Sequence, residues 1–171
     1  DMPFALQDML LELDDLEPGY QRGDDTGCGA LSPEGRPPEL AAVLGGTFPS
    51  YCINQFEQPI GPGVHPLTES VVVELPTSEM AAEVMTEAVA LARYFLGLNR
   101  PVSDPESVDF ADEAIIFASE EVNYGDGGLI FGWRDGQRIH FVGVVAGFGR
   151  MDLDGYVRFL AETQQRRSEG R

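Results

Sequence analysis

The chain has 171 residues, with 29 acidic against 11 basic side chains and a formal charge of −18, and every basic residue is arginine. The lack of lysine excludes Schiff-base chemistry, a phosphate-loop nucleotidase and a protein kinase, and so acidic a chain argues against binding nucleic acid or an anionic membrane. A hydrophobic content of 43% is enough to build a core, so the chain is expected to fold, as a single domain over residues 1–171.

Residues 5–16 place Leu6, Met9, Leu10, Leu13 and Leu16 at helical spacing, which predicts an amphipathic helix ended by Pro18-Gly19. Residues 20–50 read as an irregular, acidic, Gly/Pro-rich segment with a short helix over 39–44. Strands are expected over 51–58 and 68–75. A long helix follows, capped by Thr77 or Ser78 and stopped by Gly97, with Ala81, Val84, Met85, Ala88, Leu91, Ala92 and Phe95 on one face. After a linker-like loop over 99–107 come strands over 113–118, 129–134 and 138–146, then a helix over 152–166 capped by Asp152. The order α-β-β-α-β-β-β-α predicts an α+β fold, a mostly antiparallel sheet with helices packed on its faces.

The hairpin at 129–146 is the most informative piece. With Asp135-Gly136 as its two-residue loop, Trp133 would face Arg138 as a cation–π pair and Phe131 would face His140. Leu129, Phe131, Trp133, Arg138, His140, Val142 and Val144 then share one side, and Ile130, Ile139, Phe141 and Val145 the other. Both sides are largely apolar, so both should be covered. Phe131, Trp133, Arg138 and His140 combine aromatic surface with few polar groups and form a candidate small-ligand pocket.

No motif for nucleophilic catalysis is present: there is no GxSxG, and His65 and His140 lie outside any triad context. Acid pairs such as Asp14-Asp15 and Asp112-Glu113 are close only in sequence. Asp24-Asp25-Thr26-Gly27 and Glu120-Glu121 through Asn123 to Asp126-Gly127 offer oxygen ligands for a metal at Asp24, Asp25 and Asp126. Neither loop has calcium-loop spacing, and no motif calls for a cofactor. Cys28 and Cys52, separated by 23 residues of loop-like sequence, are expected to form a disulfide, which implies an oxidising compartment. The chain begins at Asp1 without Met, suggesting a removed N-terminal segment, and no apolar run is long enough to span a membrane.

The opening LLELDDLEPGYQ, the central LPTSEMAAEVM and the closing FADEAIIFAS, GLIFGWRDGQRIHFVGVVA and DLDGYVRFLAETQQRR resemble uncharacterised secreted or lipoprotein domains of Gram-positive and related bacteria. Those domains are similar in layout to PsbP-like α/β/α sandwiches. The resemblance implies an extracytoplasmic domain, secreted or anchored through the removed segment, and supplies no catalytic residues. The chain is therefore expected to be a non-enzymatic domain binding a small ligand or a partner protein. The alternatives are a calcium- or cation-dependent interaction domain and an enzyme without a recognisable motif.

Overall fold

Alternation of apolar and polar residues in 50–57, the valine run that ends 67–74 and the largely apolar run in 138–145 set the centre of the sheet. In the computed structural model, which describes residues 6–59, 66–97, 101–119, 127–145 and 152–170, these segments are strands β3 (Ser50–Glu57), β4 (Leu67–Glu74) and β8 (Arg138–Val145). β7 (Gly128–Asp135), β6 (Glu113–Ser119) and β5 (Glu106–Val108) continue the sheet. β1 (Gln21–Arg22) and β2 (Gly27–Ala30) share the outer edge of β3. The order is β1-β3-β4-β8-β7-β6-β5, with every described pairing antiparallel. The expected α+β class is the class observed.

Both faces are covered. Helices α1 (Pro38–Leu44), α2 (Ser78–Met85) and α3 (Ala88–Leu96) pack over Val71, Val73, Ile130, Ile139 and Phe141. On the opposite face α4 (Leu153–Ser168) sets Val157, Leu160 and Ala161 against Phe56, Phe131, Trp133 and Val142. Leu6, Met9 and Leu10 cover Cys52 and Val72. Asp152 caps α4 by accepting from the Gly155 amide at 2.9 Å, and Thr77 caps α2 by accepting from the Met80 amide at 3.1 Å.

Several local expectations are corrected. The helix expected over 5–16 does not run through. The Leu11 amide donates to Ser70 Oγ (3.0 Å) and its carbonyl accepts from Asn54 Nδ2 (3.0 Å), which holds this residue out of a helix before an extended Glu12 and a 3-10 turn at Leu13–Asp15. Buried tertiary hydrogen bonds here outweigh a good helical pattern. The long helix expected between 77 and 97 is two helices. Thr86 turns its hydroxyl onto the Glu83 carbonyl (2.6 Å), competing with the helical backbone pattern. The apolar face nevertheless continues across the break, with Ala81, Val84, Met85, Ala88, Leu91 and Ala92 all buried.

Segment 20–50 is less irregular than composition suggests, since it supplies β1, β2 and α1. Arg36 organises it by donating to the carbonyls of Leu31 (2.7 Å), Ser32 (2.9 Å), Gly45 (3.1 Å) and Thr47. Cys28 and Cys52 lie in strands rather than loops, directly opposite one another on β2 and β3, and are bonded as expected. The stretch read as a linker over 99–107 contains part of β5.

The hairpin loop is Gly136-Gln137, one residue later than expected, with positive φ (60°) at Gly136 but not at Gln137. Glycine at the first central position suits a type II′ rather than a type I′ turn. Trp133 consequently faces His140, Phe131 faces Val142, and Asp135 faces Arg138. A shift of one residue on both strands preserves the faces, so the two-sided apolar pattern stands while the individual pairs change.

Candidate functional site

The four side chains singled out on the hairpin are not assembled as an open pocket. Trp133 and His140 are fully buried and Phe131 nearly so, within the core beneath α4. Trp133 stacks on His140 with ring centroids 4.9 Å apart and planes 7° from parallel, taking the place expected of the Arg138 guanidinium. Arg138 pairs instead with Glu74 across β4 (2.9 Å).

His140 belongs to a buried polar chain. Gln164 on α4 donates to the Val71 carbonyl (3.0 Å), lies 3.3 Å from His140 Nδ1, and accepts from Ser70 Oγ (2.6 Å). These contacts make Nδ1 the acceptor and leave the proton on Nε2, which meets no partner among the described residues. Burial pulls the imidazole down to about 3, and the charge of Arg138 adds to the effect. A neutral ring in this position ties α4 to the sheet.

The opposite face carries a more open site. Leu67, Glu69, Val71 and Val73 alternate toward the α2–α3 side, and Glu69 interrupts that apolar row with a carboxyl. Its neighbour on β8 is Gly143, and Gly143 in turn faces Ile130 on β7. A Cβ added at Gly143 would come within 3.1 Å of Leu96 Cδ1, so the absence of a side chain there leaves room under the end of α3. The result is a cavity of about 200 Å³ walled by Leu67, Leu96, Gly97, Ile130 and Val145, with Glu69 as its only charged side chain among the described residues.

Gln55 Nε2 donates to Glu69 Oε1 at 2.9 Å, and Oε2 has no hydrogen-bond partner among the described residues. Burial pushes the Glu69 carboxyl up to about 7; the Gln55 hydrogen bond opposes this, and the charge of Asp25 adds to the rise. Such a group, titrating near neutrality beside an apolar cavity, marks a functional-site candidate.

A shallower hollow of about 490 Å³ adjoins the same helix end, lined by Tyr51, Tyr94 and Phe95 with Asp24 and Asp25 at its side. It is linked to Glu69 through Gln55, whose Oε1 lies 3.5 Å from the Asp25 amide. Asp24 and Asp25 have no third metal-ligating side chain converging on them, and no group of three or more His, Cys, Asp or Glu residues does so among the described residues. Asp126, with His65, Glu120, Glu121 and Asn123, lies outside the described residues.

Sequence reasoning missed Glu69, although the signal was present. Alternation in LTESVVVEL puts Glu69 in phase with Val71 and Val73, on an inward face where a carboxylate is unexpected.

No family model matches the chain, and no curated protein does. Among solved structures the chain is similar to the extracellular domain of PknH from Mycobacterium tuberculosis, with a TM-score of 0.59, 14% identity and 97% of each chain covered. No described helix is long and apolar enough to cross a membrane. At that identity the likeness is one of fold alone.

Proposed function

We propose that the chain is a single, non-enzymatic extracytoplasmic domain that binds a small ligand in the cavity beneath the last turn of α3. The observation that carries this reading is the cavity itself, an apolar space with one partly buried carboxyl at its wall. Small-molecule sites combine apolar walls with few convergent polar groups in this way. The extracytoplasmic placement rests on the Cys28–Cys52 disulfide, since such bonds persist where the compartment is oxidising, and on the likeness to PknH's extracellular domain. A PsbP-like sandwich remains our reading of the layout, supported by helices on both faces of one antiparallel sheet.

A fragment library screened against the isotope-labelled domain by amide chemical shift tests the site. Hits are expected to move Glu69, Gly97, Ile130, Gly143 and Val145, and to be lost in Gly143→Val, whose side chain occupies the space. Hits confined to other surfaces, or unaffected by that substitution, would overturn the assignment.

A further inference from the structure

Resting on the reading of this cavity as a ligand site, we propose that its ligand is a small alkylammonium ion. The hydrocarbon part would lie between Leu67, Leu96, Ile130 and Val145, and the ammonium would donate to Glu69. Four features of the site carry this assignment.

Among the described residues the cavity has one charged side chain, and an ionised carboxylate can only accept hydrogen bonds. Gln55 occupies Oε1, leaving Oε2 for a donor. No basic side chain among the described residues lines the cavity, so an anionic ligand would meet Glu69 with no described cation to offset either charge.

The helix end at the wall and the nearby Asp25 have the same sign, with Arg93 in the last turn of α3 outside the lining residues. Leu96 and Gly97 bring the carbonyl end of α3, which carries partial negative charge, to the cavity wall. Asp25 is close enough to raise the cost of ionising Glu69. A cation bound here relieves that repulsion and supplies the counter-charge that a partly buried carboxylate lacks.

Size limits the hydrocarbon part. At ~30 Å³ per water-sized atom, 200 Å³ accommodates about six or seven heavy atoms. The walls around Gly143 are branched aliphatic side chains, suited to a short alkyl chain.

The groups facing Glu69 can be taken element by element. The segment between β1 and β2 contributes Asp25 and β3 contributes neutral Gln55, while β8, β7 and α3 present Gly143, Ile130 and Leu96, none of which titrates. Binding an ammonium therefore holds Glu69 ionised, and below about pH 7 it displaces the proton from that carboxyl into solvent.

The test compares hexylammonium chloride, 1-hexanol and sodium hexanoate as ligands of the whole domain, read by amide shifts at about pH 7.5 and by calorimetry at pH 6 in two buffers. Hexylammonium is expected to move Glu69, Gly97 and Gly143 and to bind at least about tenfold more tightly than 1-hexanol, the worth of a charge-assisted hydrogen bond. Hexanoate is expected not to bind. Glu69→Gln, with its folding checked by melting, should make the amine and the alcohol equal and abolish proton release. If 1-hexanol binds wild type as tightly as the amine, and Gly143→Val abolishes both, the cation assignment falls while the ligand site stands. If none of the three probes moves the cavity amides, both fall. An amine preference that survives Glu69→Gln would also overturn the assignment.

Discussion

Glu69 and His140 lie on opposite faces of the paired strands β4 and β8, and folding perturbs their proton affinities in opposite directions. Glu69 rises from an ordinary 4.5 to about 7, so between those values the folded state holds a proton that the unfolded chain has released. Stability must then fall as pH rises through that window, by about 2–3 kcal/mol once its partial exposure is allowed for. His140 falls from an ordinary 6.5 to about 3. Below pH 6.5 the unfolded chain takes up a proton that the folded state refuses, and stability is lost as pH falls toward 3. Between 4.5 and 6.5 the two slopes oppose one another. Glu69→Gln removes one of them while keeping the side chain's shape. The variant is expected to be about 2 kcal/mol more stable than wild type above pH 7, with the gain vanishing near pH 4.5. Denaturant titrations across pH measure this. A variant less stable than wild type above pH 7 would mean that Glu69 is held ionised by a partner and that its burial has been misjudged.

The elements differ in how far local sequence determined them. The α2–α3 unit illustrates both sides: Thr86 breaks the helix, but the apolar stripe passes through the break because the same six side chains still face Val71, Val73 and Phe141. Leu91 is fully buried at the middle of that stripe, and Leu91→Ala is expected to cost about 2–5 kcal/mol. A loss below about 0.5 kcal/mol in a denaturant titration would show that the stripe does not anchor α3. The central strands and both helix caps were legible, because strict alternation and capping residues act over a few neighbouring positions. The N-terminal segment was not. Leu6, Met9, Leu10 and Leu16 are buried as their pattern implies, but Ser70 and Asn54, far away in sequence, decide its backbone path. Arg36 was equally silent, since its carbonyl partners come from a loop that exists only once the chain has closed on itself. On the hairpin, Asp135-Gly136 and Gly136-Gln137 are both acceptable loops, and the pairing of Arg138 with Glu74 and of Trp133 with His140 selects the second. The candidate site was illegible for a related reason: Glu69, Gly143 and Leu96 come from three elements, and only the sheet order makes them neighbours.

At the scale of the whole molecule, the acidic imbalance follows the architecture. Residues 1–90, with 16 acids against two arginines, supply β1–β4, α1, α2 and the start of α3. The later part holds nine of the 11 arginines, including Arg158, Arg166 and Arg167 on α4. Glu69 and most of the Asp24–Asp25 hollow come from the more negative part of the chain, whereas the apolar walls of the Glu69 cavity come mainly from the later part; the carboxylates on that side draw cations toward it. Self-repulsion at −18 must also weaken the compact state, and added salt should restore stability by screening. That response is general, so sodium, magnesium and calcium chlorides at matched ionic strength are expected to raise the melting temperature alike. A built calcium site would behave otherwise. An ion bound only by the folded state stabilises it by about 2.7 kcal/mol at a hundredfold excess over its dissociation constant, which for a chain of this length is a rise of about 5–11 °C. Asp24 and Asp25 lack a third converging ligand among the described residues, so the common response is the expected one. Melting curves with each salt and with a chelator decide the matter. A rise of several degrees specific to calcium, removed by Asp24→Ala combined with Asp25→Ala, would replace the small-ligand reading with that of a calcium-dependent interaction domain.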